Sequence, residues 1–339
     1  MEPGLTYVFW RHVDENVPAL ISETASAEVL LLESTPWQTK RDKQVKEAAM
    51  NQLTGAELTH KQHKILEYTL NAPAESLVYS KVKREKLATM FESWHLALID
   101  AFHDSGKTIR LLDSNRTEHP EIFDDIQEMY AVANRVNQAV SEGNSLGTAE
   151  DIIAEQDKFQ NLFGLTSKAR DEVAIQQIEQ YREEFGDKKI MVVYGSNHTA
   201  ISHQALRSGT ATRVFLQDAV GKPGRAKQQY GVDNEAMRRV MFDKPPKPDL
   251  AVRTMIRNSM VSYMAAHSGV ALDPSKGARG IHDFEEQTYD LMSYVDQRVR
   301  DMSDEELRSY MSALDAWAHK EPEALDRFYR LIHHFVTLG

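Results

Sequence analysis

The chain has 339 residues, a net charge of −11, 41% hydrophobic and 27% charged residues, and no cysteine. It exceeds the ~250–300 residues at which single hydrophobic cores tend to split, so a large core with an appendage or two domains is expected. The acidic balance withholds the pull toward phosphate that nonspecific nucleic-acid binding needs, and the missing thiols exclude disulfides, thiolate zinc sites and a cysteine nucleophile.

The opening residues MEPGLTYVFW carry an acid and a proline and no basic region before an apolar core, so no signal peptide is expected. No apolar run approaches the ~18–20 residues that span a bilayer. The expectation is a cytoplasmic protein with neither membrane nor nucleic acid as a partner. Basic clusters at Lys40, Arg41, Lys43, Lys46 and at Lys81, Lys83, Arg84, Lys86 alternate with acidic or apolar residues and read as solvated helix faces.

Five runs read as strands in chain order: Thr6–Trp10, Glu28–Glu33, Thr108–Asp113, Lys189–Tyr194 and Arg213–Gln217. Most are near-continuous in large apolar residues, the pattern of strands covered on both faces in a parallel sheet. Helical stretches separate them, as parallel connections require. Thr54-Gly-Ala-Glu57 and Ser303-Asp-Glu-Glu306 read as capping boxes. A long helix is expected from Ala74 to His103, with Leu87, Phe91, Trp94, Leu98 and Phe102 on one face. Others start at Pro120, at a Thr148 cap and at a Ser167 cap, the last ending near Gly186.

The predicted fold class is α/β: a mostly parallel central sheet flanked by helices, with a helical insertion and an all-helical C-terminal region. Residues 1–217 form the α/β domain, with the insertion at about 34–107, and residues 218–339 the helical region. Gly221-Lys-Pro-Gly224 and the Lys244–Pro248 stretch read as linker, followed by helices at about 249–267, 282–299, 303–319 and 322–336. Stripes such as Met255, Met260, Tyr263, Met264 and Leu291, Met292, Val295 read as core or as a self-association surface, making a homo-oligomer through these helices an expected assembly.

Ligands of open α/β sheets sit beyond the carboxyl ends of the strands. There the sequence places Arg11-His12 after the first strand, Glu33 at the end of the second, Asp113 at the end of the third and Gly195-Ser-Asn-His198 after the fourth. A glycine after a buried strand permits a left-handed or otherwise tight turn. His198 then falls near a helix start, whose dipole favours the neutral imidazole. Gly195, Asn197 and Asp113 are candidate substrate-binding residues of this rim. His60, His63 and Glu67 share a helical face but nothing apolar frames them, so they read as solvated. Gly106-Lys107-Thr108 lacks the earlier glycine of a P-loop, and Gly195-Ser196 is followed by Asn-His, which argues against a serine-hydrolase elbow.

The segment Arg170–Gly209, with Arg170-Asp171 opening a helix, then KIMVVYGSNH, then Ala205-Leu206-Arg207-Ser208-Gly209, resembles the TraB/Tiki/erythromycin-esterase-like superfamily. Its members share an arginine-led helix, a strand, a G-x-x-H turn and a helix ending in L-x-x-G. They carry an earlier G-x-x-H after the first strand and a glutamate ending the second, which Glu33 and His12 match. Phe9 stands where the first motif has its glycine, so either that turn is built differently or that half of the site has lapsed. The resemblance covers the first 35 residues and 165–217.

The resemblance implies hydrolysis of a small-molecule or peptide substrate at a peptide, ester or lactone-type bond; one branch of the superfamily binds haem. It implies His198, His12, Glu33, Asp171 and Arg170 as catalytic residues, with Arg170 and Asp171 a supporting ion pair or an oxyanion aid. It implies a divalent metal ion as cofactor, with His12, His198 and Glu33 as its ligands. The alternative is a catalytically lapsed binding or regulatory protein of the same fold that acts through protein contacts.

Overall fold

The computed structural model describes residues 4–10, 16–34, 39–70, 91–142, 147–216, 231–245, 247, 249–270 and 289–337. The chain divides into two compact units, residues 1–123 with 169–226, and residues 124–168 with 227–339.

The first unit contains strands β1 (Leu5–Trp10), β2 (Val29–Glu33), β3 (Thr108–Leu112), β4 (Ile190–Gly195) and β5 (Ala211–Phe215). Its helices are α1 (Val17–Thr24), α2 (Lys40–Leu53), α3 (His60–Leu70) and α4 (Ser93–Ala101). Helices α5 (Pro120–Glu142) and α6 (Ala149–Phe185) follow β3, and α6 gives its residues from 169 onward to this unit. After β4 come a 3-10 helix (Ser196–Ser202) and the short α7 (His203–Arg207). Gly209, at φ +68°, takes the left-handed conformation that ends α7 and turns the chain into β5.

The sheet order is β3-β2-β4-β1-β5, and every neighbouring pair is parallel. Right-handed crossovers place connections stepping one way on one face and those stepping back on the other. The steps β1 to β2 and β2 to β3 head toward the β3 edge. Their helices α1 to α4 pack against Val8, Trp10, Leu30, Leu32, Ile109 and Val193. The steps β3 to β4 and β4 to β5 head back, and α6 and the 3-10 helix pack against Tyr7, Phe9, Leu31, Val192 and Tyr194 on the opposite face. Each of β3, β2, β4 and β1 therefore sends its chain to the face its neighbour avoids, so the connections part at the carboxyl ends of the strands.

Strand β3 lies at an edge, where unpaired N–H groups are a liability. Helix α2 closes that edge with buried side chains. Asn51 Oδ1 accepts from Ile109 N–H at 2.8 Å, and Glu47 Oε1 accepts from Leu111 N–H at 2.8 Å. Both side chains sit at one repeat of the helix, which matches alternate N–H groups along the strand.

The second unit is helical: α5 and α6 up to residue 168, then α8 (Val232–Met241), α9 (Leu250–His267), α10 (Tyr289–Arg300), α11 (Asp304–Ala318) and α12 (Ala324–Thr337). Val132, Val136 and Ile152 share one core with Ile256, Met260, Val299, Tyr310, Leu314, Phe328 and Ile332. That core explains why residues 124–168 leave the α/β unit, against the simple boundary at 217 expected from the sequence. Gly164 sits where a Cβ would come within 2.6 Å of the Val240 side chain, so the approach of α8 to α6 needs a glycine.

Several boundaries differ from the sequence expectation. Thr54 ends α2 instead of starting a helix: its hydroxyl lies within donating distance of Met50 O, Asn51 O and Lys107 O, the last the shortest at 2.8 Å. Thr59 caps α3, exchanging hydrogen bonds with Gln62. Ser167 lies inside α6, so the helices expected at Thr148 and Ser167 are one 37-residue helix, and Arg170-Asp171 sit within it. Thr148 caps that helix through Asp151, and the Ser303–Glu306 capping box is present. Helix α8 lies between the two stretches read as linker, where no helix was expected. Of the Ala74–His103 helix, residues 74–90 lie outside the described residues, and α4 is the remainder.

Replacing Asn51 with Ala leaves the Ile109 N–H buried and unsatisfied. The expected loss is ~1–3 kcal/mol in chemical denaturation; no measurable loss means the edge is closed some other way.

Candidate functional site

The carboxyl ends of β2, β3 and β4 and one turn of α6 build a single charged cluster. Helix α6 covers the sheet with Ala174 and Ile178, each spaced to face the strands. One turn earlier the same face carries Arg170 and Asp171. Gln177 ties that face to the end of β3, donating to Asp113 O at 2.9 Å while its Oε1 accepts from Asp113 N–H at 3.2 Å.

His198 is the third residue of the 3-10 helix, and the turn before it needs no left-handed glycine: Gly195 has φ −60° and ψ 145°. What Gly195 contributes is its backbone N–H, which donates to Glu33 Oε2 at 2.6 Å. Glu33 thus folds its carboxylate over the end of the neighbouring strand. Its own carbonyl accepts from Nε2 of His95, a buried residue of α4 that sequence reasoning did not single out, at 3.0 Å.

His198 Nδ1 lies 2.5 Å from Asp171 Oδ1, and its Nε2 lies 3.6 Å from Glu33 Oε1. Burial works against charge on the imidazole, but the Asp171 and Glu33 carboxylates outweigh it, and its pKa is raised above the ordinary value. The shift runs against the neutral form expected at a helix start. A weak dipole at a short 3-10 helix cannot compete with two carboxylates in contact.

Arg170 and Asp171 do not pair with each other. Arg170 grips Asp113 instead: Nε donates to Oδ1 at 3.1 Å and Nη2 to Oδ2, while Nη2 also stands 3.8 Å from Glu33 Oε1. Burial pushes the Asp113 carboxyl up, yet Asp113 holds the Arg170 guanidinium above its ordinary value despite burial. The two effects disagree on the charge of the pair. The bidentate contact, together with Ser114 N–H and Oγ donating to Asp113 Oδ1 at 2.6 and 3.1 Å, argues for the ionised form. Asp113 has 0% exposure, so its carboxylate serves Arg170 and is not available to a substrate.

His12 and the Asn197 side chain lie outside the described residues. Phe9 is not in a turn at all: it is a buried residue of β1, paired with Tyr194 and packed on Phe215 at 5.5 Å. The position where the resemblance expects glycine is thus inside the strand, and its bulk suits it.

Two ligand atoms ~2.0–2.2 Å from one ion stand about 3.3–3.6 Å apart. The 3.6 Å between His198 Nε2 and Glu33 Oε1 fits that spacing. Asp171 on Nδ1 supplies the outer carboxylate that metal-bound histidines commonly have. Among the described residues no three His, Asp or Glu side chains are arranged to hold an ion. No helix among them is long and apolar enough to cross a membrane. No family description, curated protein or solved structure matches the chain.

The raised His198 pKa fixes a sign. A histidine with a higher pKa folded than unfolded stabilises the fold fully below the unfolded value of ~6.5, and loses that contribution as pH rises through the folded value. The stability advantage of wild type over His198→Gln should be largest near pH 6 and shrink toward pH 9 in urea titrations. A difference that grows with pH contradicts the ion contacts.

Proposed function

We propose that this protein is a hydrolase that activates water against a peptide, ester or lactone-type carbonyl at the β2/β4 rim. The observation that carries the reading is the seating of His198, with Asp171 at 2.5 Å on Nδ1 and Glu33 Oε1 at 3.6 Å from Nε2. A carboxylate on one ring nitrogen fixes the tautomer and leaves the other to carry protons. One water ~2.8 Å from both Nε2 and Oε1 fits that spacing with ordinary hydrogen-bond lengths.

In this reading the water gives a proton to the deprotonated Nε2 as its oxygen adds to the carbonyl carbon. The tetrahedral intermediate then expels the leaving oxygen or nitrogen, which takes the proton back from His198. Arg170, braced by Asp113 and only 3.8 Å from Glu33 Oε1, supplies a fixed positive charge beside the reacting atoms. A divalent ion would be held by His198 and Glu33, with His12 the third expected donor, and would supply Lewis-acid polarisation of water and carbonyl.

A second reading, a binding or regulatory protein without chemistry, draws on the closure of the site: the His198 and Glu33 side chains are 11% and 12% exposed. The two readings separate in one experiment. Wild type, His198→Ala and Glu33→Gln are assayed on chromogenic ester, lactone and peptide substrates, with bound metal measured in each. The hydrolase reading expects turnover to fall on the order of 10²–10⁴-fold in both variants. Turnover and metal content unchanged in both would end it, and a wild type inert on every substrate favours the second reading.

A further inference from the structure

Two buried polar atoms of this site find no hydrogen-bond partner among the described residues: Tyr194 Oη and Asp171 Oδ2. Buried polar groups in native proteins are almost always satisfied, by protein or by ordered water. Both atoms belong to side chains that touch His198. Asp171 holds its Nδ1 through Oδ1, and the Tyr194 ring stands edge-on to the imidazole, with centroids 5.1 Å apart and planes at 75°.

The hydrogen-bonding needs of the two atoms are opposite. Burial, then the Asp113 and Glu33 carboxylates, keep the Tyr194 phenol protonated, so it has a hydrogen to give. A carboxylate oxygen such as Asp171 Oδ2 only accepts. A cation would satisfy Asp171 and not the phenol, and an anion the reverse. A neutral molecule that accepts from one and donates to the other answers both. Tyr194 has 0% exposure and Asp171 3%, so neither is satisfied by bulk solvent, and an internal water is the usual partner of such groups.

We propose that Tyr194 is a positioning residue: one internal water accepts its phenolic hydrogen and donates to Asp171 Oδ2, fixing the carboxylate that orients His198. The water shares Asp171 between two donors, so it limits how strongly Asp171 pulls on the His198 Nδ1 proton. The catalytic consequence rests on the hydrolytic reading, whereas the water and its effect on the Asp171–His198 hydrogen bond do not. A protein with no hydrolytic activity would still pass the tests below.

In crystals of the full chain diffracting well enough to place solvent, an ordered water is expected within hydrogen-bond distance of both Tyr194 Oη and Asp171 Oδ2. Finding the two atoms bonded to other protein groups overturns the proposal. In proton NMR, the far-downfield resonance of the His198 Nδ1–H is assigned by its loss in His198→Ala. Tyr194→Phe, which removes one oxygen and keeps the ring, takes away the water's anchor and so weakens its bond to Asp171 Oδ2, which should move that resonance further downfield as Asp171 pulls harder on the His198 proton. A folded Tyr194→Phe protein with the resonance unmoved contradicts the inference. If that variant does not fold, the crystallographic water decides alone.

Discussion

Charge that is buried must be answered by charge, and this constraint organises the whole site. Glu33, Asp113 and Asp171 sit in the interior of the first unit. Isolated carboxylates there would cost several kcal/mol each. Arg170 answers Asp113 with a two-pronged contact, and His198 answers Asp171 at 2.5 Å while facing Glu33. The outcome is a histidine whose proton affinity is raised by its neighbours and whose ring cannot turn without breaking an ion contact. That is the property a proton-transfer residue needs, and it follows from pairing alone.

The topology delivers these groups to one place. Since neighbouring strands β3, β2, β4 and β1 send their chains to opposite faces, their carboxyl ends stay clear of a continuous cover of helix starts. Glu33 exploits the gap by reaching to Gly195 N–H at 2.6 Å, and α6 reaches it from the side with Arg170 and Asp171. The same helix packs Ala174 and Ile178 on the sheet one turn later, so the cluster is mounted on the core and not on a loop. Rigid mounting of this kind is what holds catalytic groups in register.

The strands were legible because parallel strands covered on both faces must be apolar throughout, and all five lie within two residues of their expected limits. Glu33 was legible because a polar residue closing such a run has only the strand end to occupy, and His198 because it follows the fourth run within one short turn. Helix boundaries were less so. A Thr-x-x-Glu pattern at Thr54 suits a helix start and a helix end alike, and only the carbonyls of Met50 and Asn51 decided between them. Ser167 was misread as a cap because a hydroxyl inside a long helix carries no mark of its own. The partnership of Arg170 was hidden for a different reason: adjacent opposite charges suggest a local pair, but on a helix neighbours one residue apart point in different directions. Tyr194 looked like one more apolar strand residue. Its parity with Ile190 and Val192, the face that α6 covers, was the signal that its hydroxyl lies among the charges.

The central claim is that Asp171 and His198 act as one unit. The most direct measurement is a double-mutant cycle on stability near pH 6, using Asp171→Asn, His198→Gln and the double variant. A coupling of ~1 kcal/mol or more is predicted for groups in contact. Losses that simply add, within about 0.5 kcal/mol, would show that the two side chains do not hold each other, and the site as described would not exist.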